Sequence, residues 1–193
     1  MKTVLVRTGA GNLFSLSAAL ERIGVRAEIA DSPQKLRAAR RVILPGVGEA
    51  RSAMVFLHEH GLDRALQELT VPVLGICLGM QLLCRMSEER DTLGLDVFDV
   101  AVQRFSGCGK VPHTGWNRVK EIRGPLFSGL EDGAWFYFVH GYRAGLSAWT
   151  TATCEYMGAF SAALARGNFF GVQFHPEKSG PAGRRLLENF CRL

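Results

Sequence analysis

Short apolar runs alternate with longer amphipathic segments through the first half of the chain, and no other feature narrows the fold as much. Thr3 to Val6, Arg26 to Ala30, Arg41 to Leu44 and Val71 to Ile76 each read as a short strand. The first, third and fourth are apolar on both faces, the mark of strands covered on both sides. Leu13 to Ile23 reads as a helix ended by Gly24. Ser32-Pro33 opens a short helix, with Ser32 as N-cap and Pro33 at the first position. Helical stretches follow from about Glu49 to His60 and from Leu62 to Leu69, and another starts at Leu78 directly after the fourth strand. Strands alternating with helices predict a parallel sheet with helices on both faces.

The second half is strand-rich. Asp99 to Phe105, Trp116 to Ile122, Ala134 to Val139, Thr151 to Tyr156, Phe160 to Arg166 and Phe169 to Phe174 suggest an antiparallel or mixed sheet extending the first. A closing helix runs from near Ser179 to Cys191. No repeat or linker divides the chain, and 193 residues suit a single domain over 1–193. Such a chain buries a sizeable core without disulfides or metals. Its five cysteines are odd in number and form no CxxC, which points to a reducing, cytoplasmic setting. The net charge of +5 is scattered rather than gathered on an arm, which argues against nucleic-acid binding. The most apolar stretch, Val71 to Cys84, is broken by Pro72, Gly75, Gly79 and Gln81 and is too short to span a membrane.

The most informative local feature is Leu74-Gly75-Ile76-Cys77-Leu78-Gly79, a G-x-C-x-G between a buried strand and a helix. The same spacing around serine makes the nucleophile elbow of hydrolases. A sharp strand-to-helix turn pushes the nucleophile outward, and a Cβ at either glycine would meet neighbouring backbone. The helix start favours a thiolate, and the Leu78 N–H points where an oxyanion would form. The competing reading is a small buried cysteine on a core strand. Cys84, Cys108, Cys154 and Cys191 lack this context.

A cysteine nucleophile needs a base, and the base an orienter. Gly171-Val172-Gln173-Phe174-His175-Pro176-Glu177 ends a strand. In extended backbone His175 and Glu177 share a face, so Glu177 can hold one ring nitrogen while the other faces Cys77. Pro176 would keep a helix from starting early. A lone histidine is as readily a satisfied core residue, and only the pairing with the elbow favours catalysis. His58 and His60 do not share a helix face and lack a carboxylate cluster, so no metal site is expected.

Gly75-Ile76-Cys77-Leu78-Gly79-Met80-Gln81 together with Gly171 to Glu177 resembles the class I, or triad, glutamine amidotransferases, and the resemblance covers essentially the whole chain. Leu44-Pro45-Gly46-Val47-Gly48 resembles the family's oxyanion loop. The resemblance implies a flavodoxin-like three-layer α/β fold, with a central mostly parallel sheet and an antiparallel or mixed extension. It implies Cys77 as nucleophile, His175 as proton carrier and Glu177 as orienter. Val47 and Leu78 would hold the oxyanion, and Gly48, Gln81, Gly141 and Tyr142 would bind glutamine. No cofactor is implied. Gly141 stands where relatives often carry a hydroxyl, which leaves only its backbone for contact. The Lys110–Asn117 and Tyr137–His140 segments and Gly11-Asn12-Leu13 resemble one branch of the family. Its members pass ammonia to a (βα)8-barrel cyclase in histidine biosynthesis, and Asn12, Trp116, Tyr137 and Lys178 would lie at that interface. For Trp116 the competing reading is ordinary packing beside a strand. The Pro45–Gly48 loop would let the partner switch the site on by turning an N–H inward. The triad is shared by amidotransferases serving other synthases. Gln81 and the oxyanion loop weigh against a general cysteine hydrolase on the same fold, and the intact Cys77, His175 and Glu177 weigh against a non-catalytic binding module descended from an enzyme.

Overall fold

The computed structural model describes residues 2–9 and 13–193. The first half runs β1 (Thr3–Val6), α1 (Leu13–Glu21), β2 (Ala27–Ala30), α2 (Pro33–Arg37), β3 (Arg41–Leu44), α3 (Ala50–Glu59), α4 (Leu62–Gln67), β4 (Val73–Ile76) and α5 (Leu78–Leu83). It continues with β5 (Cys84–Ser87), β6 (Thr92–Leu93), β7 (Phe98–Arg104), β8 (His113–Val119), β9 (Ala134–His140) and β10 (Tyr142–Ala144). β11 (Thr150–Glu155), β12 (Ala159–Arg166), β13 (Phe169–Val172) and α6 (Gly180–Phe190) complete the order.

The central sheet has the strand order β11-β12-β13-β4-β3-β1-β2. Neighbours are parallel from β13 to β2, whereas β12 and β11 add antiparallel to one edge. Period-two alternation sorts the strand residues between two cores. Val4, Val6, Val42, Leu44 and Val73 face one cluster, and Leu5, Ile43, Leu74 and Ile76 face the other. The first cluster is closed by Leu36 of α2, Leu57 of α3, Leu66 of α4, Leu83 of α5 and Phe98 of β7. The second is closed by Leu20 of α1, Phe136 and Phe138 of β9, and Leu187 and Phe190 of α6. Each such side chain, fully buried, contributes roughly 1.5–3 kcal/mol. These two faces make the three layers expected from the alternation.

The second half departs from the simple extension. Only β11, β12 and β13 join the central sheet. β10-β7-β5-β6 forms a separate sheet, and β8-β9 a separate hairpin tied to β11 by the Lys120–Thr153 bridge. The cause is β5. α5 ends after six residues, and the chain enters β5 at once at Cys84. Leu82, Leu83 and Cys84 are buried throughout, so their apolarity suits helix and strand equally. β6 and β10, of two and three residues, are too short to carry a pattern. Ser32 occupies the N-cap position with extended backbone, but its side chain makes no cap hydrogen bond. Among the described residues no helix is long and apolar enough to cross a membrane.

Candidate active site

The carboxyl edge of a parallel sheet is where open α/β folds place their sites. Here β3 leads into the Pro45–Gly48 loop, β4 into the Cys77 turn and β13 toward His175. Cys77 has φ 53° and ψ −111°, a backbone few non-glycine residues adopt. Its N–H extends the β4–β13 ladder to the Val172 carbonyl at 2.8 Å, and its carbonyl already accepts from Gln81 N–H at 3.2 Å. One residue therefore ends a strand and opens a helix. A Cβ on Gly75 would lie 2.7 Å from the Gly79 carbonyl, and one on Gly79 would strike the Leu44 carbonyl. A Cβ on Gly46 would in turn strike the Gly79 nitrogen. Close backbone contact thus holds loop and elbow together, and Val47, at the loop's tip, remains 41% exposed.

His175 is buried, and its backbone N–H is held by the Tyr137 carbonyl at 2.9 Å. The Ser179 hydroxyl donates to the His175 carbonyl at 2.6 Å and accepts the Tyr137 N–H at 3.0 Å. Glu177 Oε1 meets His175 Nδ1 at 2.9 Å. The pairing does not come from extended backbone. Pro176–Lys178 is a 3-10 turn, and the turn brings the carboxylate back onto the ring. Pro176 opens it rather than delaying a helix, since proline suits a first helical position, where its missing N–H is no loss. Burial works against charge on His175, but hydrogen bonding and charge from Cys77 and Glu177 outweigh it and raise the ring to about 10. Apart from the Cys77 sulfur that helps hold its charge, His175 Nε2 has no hydrogen-bond partner, so that ring edge is free for chemistry.

A cavity of about 260 Å³ opens over the sulfur, walled by Gly46, Val47, Gly48, Cys77, Leu78, Gln81, His140, Tyr142 and His175. It gathers Cys77 and His175 of the expected triad, Val47 and Leu78 of the expected oxyanion pair, and three of the four expected glutamine contacts. Gly141 is not among its walls, and its carbonyl accepts the Phe105 N–H at 3.1 Å. The wall also includes Glu89, which sequence reasoning missed. One Glu89 oxygen takes the Ala50 N–H at 2.7 Å. Glu89 sits in a loop with no motif around it, so only the fold brings it to the site. His113 and His140 are buried side by side, Nδ1 to Nε2 at 3.0 Å.

On the outer face of the β8-β9 hairpin, Trp116 is 52% exposed and meets Tyr137 edge to face, ring centroids 6.2 Å apart. Lys178 Nζ lies 5.8 Å from the centre of the Tyr137 ring. Trp116 thus lies outside the core, packed against its cross-strand neighbour Tyr137 with half its surface exposed. Asn12 lies outside the described residues.

The chain matches the family described as Glutamine amidotransferase class-I over residues 4–193. It is 48% identical over 196 residues to the imidazole glycerol phosphate synthase subunit HisH of Bacteroides fragilis, covering all of both chains. It is 45% identical over 196 residues to the subunit of that name from Escherichia coli K12, again over all of both. The crystal structure of a glutamine amidotransferase from Thermotoga maritima superposes with a TM-score of 0.67 at 21% identity, covering 99% of this chain and 82% of the other, a likeness of fold. An elbow cysteine, a carboxylate-held histidine and the Pro45–Gly48 loop around one cavity accord with these matches, and the chain belongs to the class-I glutamine amidotransferase family.

Proposed function

We propose that the chain is the glutaminase subunit of an imidazole glycerol phosphate synthase. It hydrolyses glutamine to glutamate and ammonia and passes the ammonia to a cyclase subunit in histidine biosynthesis. The observation that carries this reading is His175, held to Glu177 on one nitrogen and open toward the Cys77 sulfur on the other. Cys77 Sγ attacks the side-chain amide carbon of glutamine. The N–H groups of Val47 and Leu78 receive the oxyanion, each such donor being worth roughly 10²–10³ in rate. His175 Nε2 gives its proton to the departing nitrogen, which leaves as ammonia. Water, deprotonated by His175, then cleaves the glutamyl thioester to glutamate and restores the thiol.

Gln81 uses both side-chain N–H groups inside the protein, at 3.0 Å to the Tyr142 carbonyl and 2.9 Å to Gln173 Oε1. Its oxygen is left as an acceptor, and with the Glu89 carboxylate on the same cavity wall it suits the α-ammonium of glutamine. Gly48, at φ 109°, and exposed Val47 suit a loop that turns an N–H inward when a partner docks. Identity of 45–48% over whole chains to subunits of a synthase supports a second subunit. The partner is a (βα)8-barrel cyclase that forms imidazole glycerol phosphate and an aminoimidazole carboxamide ribotide. It docks on Trp116, Tyr137, Lys178 and Asn12. The whole of 1–193 acts as one cytoplasmic domain. Glutamate release measured with and without the ligand-loaded cyclase tests the reading. A large rise in the complex is expected, and no rise removes the assigned partner.

A further inference from the structure

We propose that Gln173 is a further catalytic residue of this site: its side-chain N–H donates to the Cys77 sulfur and stabilises negative charge there, and a string of buried polar groups holds that donor in place. The inference rests on Cys77 being the nucleophile.

Gln173 is fully buried, and its Nε2 lies 3.6 Å from Cys77 Sγ. Which end of an amide faces a neighbour is set by the network around it. Here one atom decides, the Tyr142 carbonyl oxygen, which can only accept. Gln81 Nε2 donates to it at 3.0 Å. The same Nε2 donates to Gln173 Oε1 at 2.9 Å. Turning the Gln173 amide over would set two N–H groups against each other, so the end presented to sulfur is N–H. From the other side, His140 Nδ1 donates to the Tyr142 carbonyl at 2.7 Å. His140 Nε2 must then accept from His113 Nδ1 at 3.0 Å. His113 Nε2 in turn accepts from Asn117 Nδ2 at 3.3 Å. Every bond from Asn117 to the sulfur thus has a fixed donor, the two halves meeting at the Tyr142 carbonyl that accepts from both, and both rings are neutral. Burial agrees, lowering His113 to about 4 and His140 to about 3.

A thiol gains little from an N–H donor, but a thiolate gains a charge-assisted bond, so the contact favours the attacking form. Alkylation of Cys77 by iodoacetamide in the full chain tests this, with glutamate release measured in parallel. In Gln173→Met, alkylation at pH 7 and kcat both fall about tenfold while KM stays within about twofold, the size of one hydrogen bond to a charged group. The alkylation deficit closes at pH 10, above the range in which free thiols ionise, about 8.5. His113→Phe keeps the ring stack and loosens the string, so it moves both rates the same way by less. Alkylation of Gln173→Met at the parental rate at pH 7, or a deficit unchanged at pH 10, overturns the inference. If that variant does not fold, the parent gives the answer by NMR. The Gln173 side-chain amide resonance should follow the ionisation of Cys77 and stop doing so in Cys77→Ala, and a resonance that behaves alike in both overturns the inference. Undiminished glutamate release in Cys77→Ala would instead remove the underlying reading.

Discussion

Two buried histidine sites in this molecule are driven to opposite charge states. His175 is raised to about 10, whereas His113 and His140 are lowered to about 4 and about 3. All three are almost wholly shielded from solvent, so burial alone does not separate them. The difference is the partner. His175 has a carboxylate on Nδ1 and the elbow sulfur beside it. The other two have each other, an amide and a backbone carbonyl, none of which carries negative charge. One site is thereby built to hold and deliver a proton, and the other to stay neutral and hold geometry.

Removing the proton-handling site should have the largest effect. Cys77→Ala is expected to lower glutamate release by roughly 10⁴-fold or more, checked by steady-state assay, with stability near the parent's. Glu177→Gln keeps the hydrogen-bond shape but takes away the charge, so it asks directly what separates the two sites. His175 should fall toward the ordinary range and kcat should drop by about 10²–10⁴-fold. Titration of the ring by NMR alongside the assay checks both, and an unmoved His175 would break the comparison.

The elbow and the histidines were not equally legible in the sequence. The G-x-C-x-G turn showed its position and its shape, because backbone crowding at Gly75 and Gly79 demands glycine. The two cores followed from strand alternation, since each strand's odd and even residues face opposite sides. His175 and Glu177 could be paired from their spacing, but the 3-10 turn that joins them could not be foreseen, because the sequence spacing suits either geometry. Glu89 and the His113–His140 pair were not legible as a site. They come together only through β5, β7, β8, β9 and their loops, and β5 was hidden inside an apolar run shared with α5. That same hidden strand explains why the second half forms separate sheets rather than one extension.

Smaller effects sharpen the contrast through stability. His113 and His140 bind protons more readily unfolded than folded, so stability should fall as pH drops from the ordinary histidine value of 6.5 toward about 4. The loss approaches about 1.4 kcal/mol per pH unit for each ring. His175 has the opposite sign. Its contribution is full below 6.5 and is lost as pH rises through about 10. Urea midpoints from pH 4 to 10 should therefore describe a dome, and a flat acid limb would contradict the neutral pair. Asn117→Asp sets a carboxylate where an amide meets His113 at 3.3 Å. It should raise His113 by NMR titration and shallow the acid limb by less than about 1.4 kcal/mol per pH unit.

The central claim is that Cys77 is the residue that attacks glutamine. Acid quenching of the chain during turnover, followed by mass spectrometry of its cysteine peptides, tests it most directly. A glutamyl adduct on the peptide carrying Cys77, absent in Cys77→Ala, is the expected result. Turnover with no adduct there, or with the adduct on Cys84, Cys108, Cys154 or Cys191, would contradict it.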